Sequence, residues 1–163
     1  MKEKTKNLPD TVDFGAASPN NQDARWAWDE FGGLSIDQAQ EKLASHPICY
    51  SEAFMWMGQP AFVYYYPAID RYLRQFPEGV GTEDPEDSSA SAIAGALCAQ
   101  FLASDIRMLL PILEQVRDLV SYVRSHVSQL ATCLEVQADI DSTWQVLESQ
   151  LEQLLSRINN KAG

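Results

Sequence analysis

The chain has 163 residues, 45% of them hydrophobic, enough for one domain with its own core and too few for two ordinary ones. Twelve basic residues against 23 acidic ones give a net charge of −11, which repels nucleic acid and anionic lipid and leaves a basic protein as the fitting partner. The longest weakly polar run, 90–103, is too short to cross a bilayer, and no apolar stretch follows the charged N-terminus, so a cytoplasmic chain is expected.

Residues 1–25 carry Pro9, Gly15, Pro19 and an Asn-Asn pair without any apolar period, which predicts a flexible N-terminal arm ahead of one helical domain over 26–163. Trp26, Trp28 and Phe31 precede Gly32-Gly33 and read as aromatic anchors dropped onto the body. Ser35 with Gln38 is a capping-box pattern, and Ile36, Ala39 and Leu43 follow at helical spacing until His46-Pro47 ends the run. Ser51 is placed to cap a turn through Ala53 to Met57, closed by Gly58.

Pro60 suits the first turn of the next helix, where Phe62, Tyr66, Ile69, Leu73 and Phe76 share one face at alternating steps of four and three. Pro67 calls for a kink or a restart within it. Nine of the sixteen aromatic residues fall between Tyr50 and Phe76. Four of those outside the core stripe, Trp56, Tyr64, Tyr65 and Tyr72, are the candidate anchors for a partner.

The stretch 77–89 has two prolines, two glycines and five carboxylates with no basic residue, so it reads as a solvated loop. Glu83, Asp84, Glu86 and Asp87 are its candidate steering charges, set against the plainer reading of a linker. Small residues over 90–103 then predict a central helix that its neighbours approach closely. From Pro111 a long helix is expected, its stripe formed by Ile112, Val116, Val120, Val123, Val127, Leu130 and Leu134. Asp141 is placed to cap a last helix through Trp144, Leu147, Leu151, Leu154 and Ile158, so the two helices read as an antiparallel pair. The whole is an all-α single domain of about five or six helices.

No set of reacting groups emerges. His46 and His126 lack partners at metal spacing, and Cys49, Cys98 and Cys133 are too scattered for a zinc or redox motif. Gly79-Val80-Gly81 lacks the remainder of a dinucleotide fingerprint, and no serine stands in a nucleophile motif. Glu52 and Asp70 neighbour the aromatic block, but a capping or surface role fits them better than acid–base work. Neither an enzyme nor a cofactor is therefore expected.

The segment from Phe54 to Leu73 resembles a group of bacterial helical proteins, themselves uncharacterised, built around an F-x6-A-F-x-Y-Y-x-P block that Phe54, Ala61, Phe62, Tyr64, Tyr65 and Pro67 match. The resemblance covers about half the chain, rests on core-type residues and implies a helical fold; it supplies no catalytic residue. The chain departs from that pattern in the acidic stretch 77–89 and in the extended C-terminal helix pair. A second likeness, of type rather than sequence, is to immunity proteins of toxin systems: small, acidic, helical proteins without catalytic motifs. The expected function is a protein-binding module that occludes a basic partner such as a bacterial toxin. The alternative is a structural or adaptor protein that forms a homodimer through its C-terminal helices, with Leu147 and Leu151 in the interface.

Overall fold

The structure, a computed structural model, describes residues 7–75, 88–103 and 105–163. Among these it is all helical, without a strand, and forms one compact domain. Its α-helices are α1 (Gln22–Phe31), α2 (Ile36–Ser45), α3 (Pro47–Trp56), α4 (Gln59–Arg74), α5 (Ser89–Phe101), α6 (Leu113–Ser125), α7 (Val127–Leu130) and α8 (Leu134–Ala162), with a 3-10 turn over Arg107–Ile112. The described residues thus hold eight helices where five or six were expected, because α1 forms where an arm and aromatic anchors were expected and because α6 ends at Ser125 with neither glycine nor proline to mark the break.

Residues 7–25 do not stand off as an arm. Phe14 is fully buried and meets the rings of Trp28 and Tyr65 edge-on at 5.3 and 5.9 Å. Gly58 donates its amide to the Phe14 carbonyl at 2.9 Å, and a Cβ at Gly58 would lie 2.3 Å from the Asp13 carbonyl oxygen. Only a residue without a side chain lets the two backbones meet so closely. Asn21 then caps α1 by accepting from the Ala24 amide, and Phe31 is fully buried at its other end.

Ser35 and Gln38 form the capping box of α2, each side chain bonding the other's backbone amide at 3.2 and 2.9 Å. Pro47 ends that helix and also opens α3, as a first-turn proline does. Ser51 is therefore not a cap: it lies inside α3, buried, donating to the Ile48 carbonyl. α4 runs through Pro67 without a restart; one backbone bond is lost there, and the burial of Tyr65, Tyr66, Ala68 and Ile69 around it holds both halves. Each buried ring of this kind contributes about 1.5–3 kcal/mol relative to exposure. Phe62, Tyr66, Ile69 and Leu73 all enter the core, while Phe76 lies outside the described residues.

α5 is the central element, packed against α3 on one side and α8 on the other. Its alanines keep both neighbours close, and polar side chains close the seams: Gln100 Nε2 donates to the carbonyls of Phe54 and Met57 at 2.8 Å, and Trp144 Nε1 to that of Ala90 at 3.0 Å. The C-terminal third differs most from the expected layout. Pro111 lies in the 3-10 turn, α6 stops at Ser125, and Leu134 is 79% exposed at the start of α8 rather than in a stripe. Asp141 is inside α8, paired with Arg124, so it caps nothing. Trp144, Leu147 and Leu151 are buried within the domain. No helix among the described residues is long and apolar enough to cross a membrane.

Candidate functional site

The aromatic candidates separate by burial. Trp56, at the end of α3, is 47% exposed, and Tyr64 is half-buried with its ring edge-on to Tyr65 at 4.9 Å. Tyr65 and Tyr72 are core residues and cannot be surface anchors. Tyr65 is fully buried and its hydroxyl donates to the Phe31 and Leu34 carbonyls at 2.8 and 2.9 Å, tying α4 to the end of α1. Burial pushes its hydroxyl up to about 12, with Tyr64 adding to the shift and the Leu34 bond opposing it. Tyr72 lies against Ser89 at 3.2 Å and is likewise raised, chiefly by burial. A helix stripe widens when both flanks find neighbours, and here α2 and the start of α5 supply them. Glu83, Asp84, Glu86 and Asp87 lie outside the described residues.

The charged residues assemble on the face formed by α4, α6 and α8, where no sequence motif marks them. Arg74 bonds Asp70 on its own helix through Nε at 3.1 Å and Asp118 on α6 through Nη2 at 2.6 Å. Arg117 bonds Glu114 at 3.1 Å and Glu152 on α8 at 3.2 Å. Arg124 bonds Asp141 at 2.9 Å and also Glu148. Each guanidinium is thus shared by two carboxylates, so six negative charges face three positive ones. The arginines stay protonated: for Arg74 burial works against the charge, but the bonds to Asp118 and Asp70 outweigh it, and for Arg117 and Arg124 the bonds to Glu114 and Asp141 lead.

Two hollows follow this face. One of about 350 Å³ lies between α6 and α8, lined by Glu114, Arg117, Asp118, Glu148 and Glu152 among others. The other, about 510 Å³, lies between α4 and α6 and is lined by Asp70, Arg74, Glu114, Gln115 and Asp118. Glu114 and Asp118 border both, which makes α6 a carboxylate ridge with a depression on either side. A faint signal of this was present in the sequence, since Glu114 and Asp118, like Glu148 and Glu152, are like charges four residues apart on a helix. Such pairs repel, so helices carry them against a small cost.

Other chemistry is sparse. Besides the tyrosines and Trp144, the buried polar side chains among the described residues are Ser51, Ser88, Ser89 and Gln100, none of them a carboxylate. Glu52 is exposed, and Asp70 belongs to the Arg74 pair. His46 is exposed beside Ser45, and His126 stacks on Tyr122 with centroids 4.1 Å apart. The three cysteines are free thiols, Cys98 raised by burial. No cluster of three or more histidine, cysteine or carboxylate groups fit for a metal occurs among the described residues. Compared with family models, with curated proteins and with solved structures, the chain has no match.

Proposed function

We propose that the chain is a cytoplasmic protein-binding module that engages a basic protein, in the manner of an inhibitor or immunity protein occluding a basic toxin. The supporting observation is the charge arrangement on the α4, α6 and α8 face, where Arg74, Arg117 and Arg124 are each already shared by two carboxylates. A surplus of three negative charges remains there for a partner's cations, and such surpluses raise association rates and reject acidic competitors. In this reading α6 and α8 form an antiparallel pair whose seam is the binding face, with exposed Trp56 as a separate apolar contact. Affinity capture with the wild-type chain and with a Glu114→Gln/Asp118→Asn variant, at low and high salt, tests it. A basic protein held by the wild type and released by salt or by the variant is the expected result. A partner held equally by both chains would overturn the assignment.

A second reading, self-association, draws on a different surface. Leu102 and Val146 are 73% and 61% exposed and, with Cys98, line a hollow of about 520 Å³ between α5 and α8. Leu147 and Leu151 face the core and are not available to a second copy. Light scattering across concentration separates the readings: a strict monomer leaves only the basic partner, whereas a dimer lost on Val146→Glu supports the homodimer.

A further inference from the structure

Helix α8 buries one face, shares a second with α6 and leaves a third to solvent. Val136, Ile140, Trp144, Leu147 and Leu151 enter the core, while Asp141, Glu148 and Glu152 bond arginines of α6. Opposite the core, Ala138, Ser142, Val146, Ser149, Gln153 and Ser156 recur at steps of four and three, and all are exposed. That stripe carries no charge; Asp139, the nearest carboxylate to it, accepts from Ser91 of α5. Val146 stands exposed at its middle, and Leu102, just past the end of α5, flanks it across the hollow of about 520 Å³.

A charge stands at each end of the stripe, and the two are opposite in sign. Glu135 and Arg157 are exposed, share this face and lie equally far along the helix from Val146, about three turns to either side. Neither joins an ion pair among the described residues. A twofold axis through Val146 therefore brings Glu135 of one copy to Arg157 of the other, at both ends of the contact. The copies then run α8 against α8, antiparallel, with the neutral stripes between them. Net charge points the same way: copies that each carry −11 repel, and they meet most readily on a face without surplus carboxylates.

We propose that this outward face of α8 is the seam of a symmetric antiparallel homodimer, centred on Val146, closed at both ends by Glu135–Arg157 pairs and flanked by Leu102. This rests on the self-association reading and adds the face, direction and register. Asp141, Glu148 and Glu152 lie about a quarter turn round α8, so the dimer leaves both acidic faces open to basic partners.

The test is equilibrium sedimentation of the full chain, up to about 1 mM, for the wild type and for charge variants. A dimer is expected for the wild type. Glu135→Lys sets cations together at both ends and Arg157→Glu sets carboxylates together, so each weakens dimerisation by about tenfold, since symmetry makes each change act twice. Glu135→Lys also lowers the net negative charge, so its weakening effect is the reverse of what general repulsion gives. The double variant Glu135→Lys/Arg157→Glu rebuilds both pairs and returns the wild-type affinity. A dimer indifferent to the single changes, or weakened by both without rescue in the double variant, overturns this register and leaves self-association standing. A chain that stays monomeric throughout the range overturns the self-association reading with it.

Discussion

Arg74 and Asp118 are joined across two helices at 2.6 Å, the guanidinium reaching from the last turn of α4 to the exposed side of α6. Asp118 is 74% exposed at its side chain, so solvent screens the pair and it adds little to stability. Asp118→Asn is expected to leave the unfolding free energy within about 0.5 kcal/mol of wild type in urea titrations. That separation of charge from fold is what makes this residue a clean probe of binding.

Tyr65 is a structural residue despite its place in an aromatic cluster. Tyr65→Phe keeps the ring but strips the donor from the Phe31 and Leu34 carbonyls, at the point where α1 ends. A loss of about 1–2 kcal/mol is expected in chemical denaturation. An unchanged midpoint would show that those carbonyls find other donors.

Gln100 holds the end of α3 by donating to the carbonyls of Phe54 and Met57, with that of Met55 at 3.2 Å beside them. Gln100→Leu leaves these carbonyls without their donor and is expected to cost about 2–3 kcal/mol. Trp56 lies between two of the bonded residues, so its fluorescence should shift in the native state of the variant. Fluorescence identical to wild type would mean that α3 ends without this bond.

Gly58 admits the backbone of Asp13 and Phe14. Gly58→Ala forces the two apart and is expected to cost about 1–3 kcal/mol, as overpacking does. Amide exchange at residues 10–16 should accelerate in this variant more than elsewhere. Uniform exchange across the chain would instead place the loss in the global fold.

Alkaline pH should unfold the chain through its buried tyrosines. Tyr65 is raised to about 12, and Tyr66 and Tyr72 are raised too, each mainly by burial. A folded-state value above the unfolded value of about 10 means that this stability is complete below pH ~10 and is lost as pH rises through ~12. Melting temperatures measured along this range should fall, and less steeply in Tyr65→Phe. A flat profile would mean that the phenols ionise without opening the core.

Much of the fold was legible where local rules act alone. Ser35 with Gln38, and the spacing of Phe62, Tyr66, Ile69 and Leu73, each specify their outcome within one or two turns. The breaks at His126 and at Ala131 were not legible, because no glycine or proline stands there; at the second, Gln137 Nε2 donates to the Ala131 carbonyl from the first turn of α8. Asp141 misled for a related reason: a carboxylate that fits a cap fits equally a partner for Arg124 on a neighbouring helix. Tyr65 and Tyr72 looked like surface flanks because a one-helix projection contains no neighbouring helices. The acidic face was hidden likewise, since its members come from three helices far apart in sequence, and only the like-charge spacings hinted at it.

The most direct test of the acidic face is the affinity of the captured basic partner for the wild-type chain and for Glu114→Gln/Asp118→Asn, measured by calorimetry at two salt concentrations. The face as described predicts weaker binding by the variant, about tenfold or more at low salt, and a gap that narrows as salt rises. Equal affinities at both salt concentrations, with binding abolished instead by Trp56→Ala, would contradict it.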